Sequence, residues 1–245
     1  MRPVPNRSGG QSPSPAVDDR PLAVQLGEMA RSLHEESPET LLPAIVQAAV
    51  ELIPGAEEAS LSVVVSRKNI QCQSPSSDLP EKLDAVQMEL GEGPCLHAIY
   101  DQHTVSVPTM SAETRWPRFA EQAMASGVRS MLAFQLYVHR DNLGALNLYS
   151  SQDQAFTPES ELIGSSLASH AALALAESQK VGQLHQAVAT RDLIGQAKGI
   201  LMERYKITGH EAFLLLVRAS THTNRKLYEI AGTLVHSGEL RSDGE

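Results

Sequence analysis

Between Gln186 and His236, seven cationic side chains (Arg191, Lys198, Arg204, Lys206, Arg218, Arg225 and Lys226) stand against four acidic ones, a local excess of three. Residues 1–185 hold twelve basic and twenty-two acidic side chains, and the whole chain has a net charge of −9. A basic stretch in an acidic chain suits an anionic partner such as nucleic acid, and on charge alone it suits a solvated helix face equally well. Spacing narrows the choice. On a helical wheel Arg191, Gly195, Lys198 and Met202 share one face, with Gly199 and Lys206 just beyond it. Glycine inside a helix costs up to about 1 kcal/mol relative to alanine, so Gly195 and Gly199 imply either a closely packed second helix or the close approach of a ligand. Ala197 and Gly199 are small enough to let a ligand come close, and Arg204 closes the segment. Arg225 and Lys226 fall in the predicted first turn of a last helix. Cations there are slightly unfavourable by themselves, and a bound phosphate would reverse that sign.

Other chemistry finds no support in the residues. There is no Ser-His-Asp arrangement, no glycine-rich phosphate loop and no paired acidic metal site, so neither catalysis nor a metal is expected. Cys72 and Cys95 form no disulfide framework, and Cys95 with His97 fits a buried thiol beside a satisfied histidine better than a cofactor mount.

The elements that must position the cations follow from periodicity. From Pro158 to about Tyr205 no proline or turn cluster intervenes, which predicts one long helix with Thr157 as its cap and Pro158 at its first position. Leu167, Ala174, Val181 and Val188 recur every seven residues with Leu184 between the last two, an imperfect heptad seam that predicts a dimeric coiled coil. On the wheel Ile194, Ala197, Leu201 and Tyr205 form the face turned toward two short helices. The first of these opens with a capping box, Thr208 and Glu211, and buries Ala212, Leu215, Leu216 and Ala219. The second runs from Asn224 and buries Leu227, Ile230, Ala231 and Leu234, ending before Gly238.

Upstream, helices are expected from Leu22 to about Leu33 and from Ser37, as cap, to Ile53. Ala59–Ser66 and Ile70–Ser74 read as a strand pair around Arg67-Lys68-Asn69. A polar helix near Leu79–Met88 is followed by the breaker Gly91-Glu92-Gly93-Pro94 and a short helix from Cys95 to Tyr100. Thr104–Pro108 reads as a strand, and Arg115-Trp116-Pro117 opens a helix to Ser126. Val128–His139 and Leu143–Tyr149 form a hairpin joined by Arg140-Asp141-Asn142. Paired strands with helices between and around them predict an α+β domain with an antiparallel sheet. Met1–Pro21, rich in Pro, Ser and Gly, is expected to be a disordered tail, as is 239–245. No stretch approaches the roughly 20 apolar residues that span a bilayer and no secretion signal is visible, so a cytoplasmic protein is expected.

Two resemblances give these elements a meaning. Arg191 to Arg204 with its Ala197-Lys198-Gly199-Ile200-Leu201-Met202 core, the Glu211-Ala212 pair, and Leu227 to Leu234 closely resemble the ANTAR family. These are small three-helix modules of bacterial transcription antitermination regulators that bind RNA. Gly91-Glu92-Gly93-Pro94-Cys95, Arg115-Trp116-Pro117, Gly127-Val128-Arg129-Ser130 and Leu143–Tyr149 look like GAF domains of the actinobacterial kind that precede ANTAR modules. The resemblance implies a GAF sensor at 22–157, a coiled-coil linker at 158–188 and an ANTAR domain at 189–238. It further implies a homodimer that binds a pair of six-base-loop stem-loops in nascent leader RNA and so prevents a terminator hairpin. Arg191, Gly195, Ala197, Lys198, Gly199, Met202, Arg204, Arg225 and Lys226 are the expected RNA contacts. No cofactor is implied beyond an unidentified small-molecule ligand of the GAF fold, and transcription machinery is a further partner the resemblance allows. A DNA-binding regulator, or an adaptor whose helical module binds protein, are the alternatives left open.

Overall fold

A computed structural model describes residues 22–66, 69–101, 103–139 and 141–238. The expected tails, and Arg67, Lys68 and Arg140 of the two expected turns, lie outside the described residues. The chain divides into two compact units at Ala172 and Leu173, inside one long helix.

The first unit is an antiparallel five-stranded sheet in the order β2-β1-β5-β4-β3. Its strands are β1 (Glu58–Ser66), β2 (Asn69–Gln73), β3 (Thr104–Val107), β4 (Ser130–Val138) and β5 (Asp141–Ser150). Strand alternation sends Met131, Ala133, Ala145 and Tyr149 to one face, where Leu83, Cys95, Ile99 and Phe119 cover them. Those four come from α3 (Asp78–Leu90), α4 (Pro94–Tyr100) and α5 (Pro117–Ala125). The opposite parity, Leu132, Phe134, Leu136, Leu146 and Leu148, is also fully buried. On that side lie α2 (Leu41–Leu52), preceded by α1 (Leu22–Glu35), and the start of α6 (Pro158–Tyr205).

Glycine 164 of α6 sits directly over a phenyl ring, since a Cβ there would lie 2.3 Å from Cε2 and Cζ of Phe134. Helix α6 is capped as its sequence predicts. Thr157 Oγ1 accepts the backbone N–H of Ser160 at 3.4 Å, while Ser160 Oγ accepts that of Thr157 at 3.0 Å.

In three places the first unit differs from the expectations. Helix α2 starts at Leu41 rather than after Ser37, because Ser37 is spent on a preceding turn whose carbonyl accepts from Thr40 and Leu41. The β4–β5 connection is shorter than expected: Val138 pairs with Asp141, and His139 takes a left-handed φ of 57°. Asn142 lies inside β5, where its side-chain amide donates to the carbonyl of Ile99. The third difference concerns the heptad seam. Leu167 is buried among the first unit's own residues along with Ile163, Ala171 and Ala172, so it is not available to a partner helix. The beginning of α6 is therefore a structural helix of the sheet unit, and the exposed part of the seam starts later, at Val181.

The second unit packs the end of α6 with α7 (Gly209–Thr223) and α8 (Leu227–Ser237) around Ala197, Leu201, Ala212, Leu216, Ile230, Ala231 and Leu234. Between 181 and 189 every residue of α6 is exposed, including Val181, Leu184 and Val188.

Candidate nucleic-acid interface

The chain entering α7 is held by the predicted capping box. Thr208 Oγ1 accepts the Glu211 amide at 3.3 Å, and the Glu211 carboxylate accepts the Thr208 amide at 2.8 Å. Those bonds hold the Glu211 carboxyl below its usual range. Helix α7 ends differently from expectation. Asn224 adopts a left-handed φ of 51° as the C-cap of α7 instead of opening the last helix. Asparagine tolerates that conformation at a helix end. In consequence Lys226 is the N-cap of α8 and Arg225 precedes it, so neither lies in the first turn.

The expected contact residues then separate by what they already touch. Ala197 is fully buried in the three-helix core, so it packs α6 and offers nothing to a base. Arg204 is exposed, but its Nη2 donates to the carbonyl of Gly238 at 2.6 Å, tying α6 to the end of α8. Arg225 lies along α8, with Nε 3.7 Å from the Glu229 carboxylate and Nη2 donating to Thr233 at 3.3 Å. Lys206 pairs with Glu203. Arg191, Lys198 and Lys226 make no ion pair or hydrogen bond among the described residues; nor does Arg218, an exposed cation of α7.

Around the α6 cylinder the unpaired cations keep one side. Arg191, Gly195, Lys198 and Met202 fall within about 60° of one another, and Asp192, Gln196 and Glu203 occupy a separate flank. Beyond their own stretch of helix, Gly195 and Gly199 have no atom of the described residues within 4 Å of where a Cβ would stand, so neither serves a helix contact among those residues. The side chains of Lys198 and Met202 reach over the first turn of α7. A Cβ on Gly209 would lie 3.5 Å from Met202 Sδ and 3.7 Å from Lys198 Nζ. Tyr205, expected on the core-facing side, is 55% exposed. It is the last residue of α6, where the neighbouring short helices no longer cover it.

The sheet unit holds a second concentration of polar groups, and it is buried. Asp84 accepts from Ser60 Oγ at 2.7 Å, Ser62 Oγ at 3.1 Å, Asn147 Nδ2 at 3.1 Å, Gln87 Nε2 at 3.4 Å, and the Tyr149 hydroxyl. Burial raises its pKa against the opposing pull of those donors. Gln87 in turn accepts the Cys95 amide at 2.8 Å, a bond that depends on Gly93, whose φ of 144° and missing Cβ keep the chain clear of the Gln87 side chain. Burial pushes the Cys95 thiol up to about 12, with Asp84 adding to the effect. A thiol so held is a poor nucleophile or ligand. His97 is engaged by Asp101 at 3.1 Å and meets the Trp116 ring edge-on at 5.4 Å. One atom of the cluster, Asn147 Oδ1, is buried without a hydrogen-bond partner. Sequence inspection missed this cluster. Its only trace is Ser60 and Ser62, which alternate with Ala59, Leu61 and Val63 on a strand covered on both faces.

A central antiparallel sheet of order 2-1-5-4-3 with helices on both faces is a fold shared with solved structures. Residues 35–176 match the GAF domain family, and the chain belongs to it. Residues 182–235 match the ANTAR domain, so the three-helix unit with its unpaired cations is an ANTAR domain. No curated protein matches the chain. Among solved structures, the GAF domain of an Acinetobacter phosphoenolpyruvate-protein phosphotransferase superposes with a TM-score of 0.54 at 17% identity, covering 66% of this chain and 97% of that one. Free methionine-R-sulfoxide reductase from Neisseria meningitidis gives 0.51 at 18%, over 65% and 91%. The LuxR-family transcription factor CepR2 of Burkholderia cenocepacia gives 0.52 at 19%, over 65% and 98%. At these identities the likeness is one of fold.

Proposed function

We propose that this protein is an RNA-binding regulator of transcription antitermination that catalyses no reaction, acting in the cytoplasm as a homodimer with its GAF domain as the signal input. ANTAR domains are RNA-binding antitermination modules and GAF domains are signal-sensing domains, which gives the coarse outline. The observation that carries the rest is the side of α6 where Arg191 and Lys198 stand unpaired beside two glycines open to solvent. Cations of that kind secure phosphates, while sequence in RNA is read from unstacked loop bases. The target in this proposal is a pair of six-base-loop stem-loops in leader RNA, one for each ANTAR domain of the dimer. The exposed apolar residues Val181, Leu184 and Val188 support a second copy as the partner of α6, since seven-residue spacing on a helix suits a paired seam.

Sequencing of RNA crosslinked to the protein in cells tests the proposal. Tandem six-base-loop hairpins beside terminators are the expected yield. Recovery of unstructured RNA, or of duplex DNA outcompeting RNA at equal salt, would overturn it.

A further inference from the structure

Two features of the ANTAR unit are unused by its core. Phe213 of α7 is 37% exposed and Met202 of α6 is 40% exposed, while seven neighbouring side chains of the same small module are almost wholly buried. Tyr205, Leu214 and Tyr228 are exposed as well, and large apolar groups are normally the first to be covered, so those that fall close together mark a contact surface. Their placement is specific. Lys198, Met202 and Tyr205 follow one another at helical spacing along one strip of α6, and the first two reach over Gly209 at the start of α7. Phe213 follows Gly209 by one turn on the same side of α7. Each helix thus brings one exposed ring, Tyr205 or Phe213, to the border of a shallow surface floored by Met202 and Gly209. Glycine at 209 leaves that floor without a side chain of its own. At its edge stand Lys198 and, further along α6, Arg191, both without an ion pair among the described residues.

We infer that this surface is where an unpaired RNA base is held: the base stacks on Phe213 against the Met202 thioether, and Lys198 takes the adjoining phosphate. The inference rests on the RNA reading above and adds to it the residue that grips a base. The chemistry favours single-stranded RNA over a protein helix. A helix seated here would bury the Lys198 ammonium, whereas a nucleotide supplies a flat apolar face and a negative charge roughly one phosphate away. Tyr205 is positioned to stack a second base. Tyr228, also exposed, belongs to α8, outside the two helices that carry this surface.

The full-length protein would be used to select binders from RNA carrying two hairpins with randomised six-nucleotide loops, and the best of these, fluorescein-labelled, would serve as probe. Phe213→Ala and Phe213→Leu are each expected to weaken binding about tenfold without changing the salt dependence. Phe213→Tyr should stay within about twofold of the parent, and Lys198→Ala should lower the slope of log K against log salt by about one. If Phe213→Leu binds as the parent does while Lys198→Ala still weakens, the base-stacking inference falls and the RNA reading stands. A pool that yields no binder at all removes both. Should Phe213→Ala lose helical content, the Leu and Tyr variants, which keep an apolar side chain of similar size, decide the matter by their ratio.

Discussion

The two units treat charge in opposite ways. In the sheet unit Asp84 is sealed among five neutral donors, while in the ANTAR unit the exposed Arg191 and Lys226 and the half-buried Lys198 have no acceptor among the described residues. A buried carboxylate that has all its partners rigidifies what surrounds it, because removing any member strands the others away from water. An exposed cation with no partner adds almost nothing to stability and keeps its full charge for something else. Polar density by itself therefore does not mark function in this molecule; what separates the two regions is whether the groups are already satisfied.

That contrast can be broken most forcefully from the inside. Asp84→Ala leaves five buried donors without their acceptor and is expected to cost about 3 kcal/mol or more, measured by urea unfolding. Any RNA affinity of the protein that remains folded should be unchanged. Gly164→Ala drives a Cβ into the Phe134 ring and should cost about 1–3 kcal/mol, with partial recovery in Gly164→Ala/Phe134→Leu. Thr208→Ala removes one half of the capping box and should cost about 1 kcal/mol, seen as a lower Tm of the ANTAR unit. At the exposed end of the scale, Lys226→Ala should leave Tm within error while lowering the salt slope of RNA binding by about one. Arg204→Ala should do the reverse, loosening the last turn of α8 with little effect on that slope.

Acidity provides another probe. The folded pKa of Asp84 is raised, so the native state keeps its proton to higher pH than the unfolded chain does. Its contribution to stability is full below the unfolded value of roughly 3.9 and is lost as pH rises through the folded value. Comparing unfolding across that window in the parent and in Asp84→Asn should show the downward slope in the parent alone. A parent curve with no such slope would mean the five donors hold the carboxylate ionised.

Much of the fold was legible in sequence because it depends on period and punctuation. The β1–β2 strand pair, the β4–β5 hairpin, the Thr157 and Thr208 caps and the apolar face of α7 all appear where local chemistry puts them. The errors arose where one residue suits two roles. Asn224 suits the start of a helix as well as its left-handed end, and only the packing of α7 decides between them. Asp141 and Asn142 are turn formers, yet pairing with Val138 and a bond to the Ile99 carbonyl draw them into β5. At the candidate site the wheel placed Ala197 correctly in the core, and its small size then argued for a ligand that burial excludes. Phe213 was overlooked for a related reason. Nothing in a sequence tells an aromatic residue on the edge of a core face from one within it.

The notch at Gly164 limits how the sheet unit can transmit a change. A helix that slid along its own axis by one turn would bring Ser160 or Ala168 over Phe134, and either side chain would collide with the ring where glycine does not. Helix and sheet are in this sense keyed, like a shaft with a pin: the Phe134 ring opposes translation of α6 by a turn.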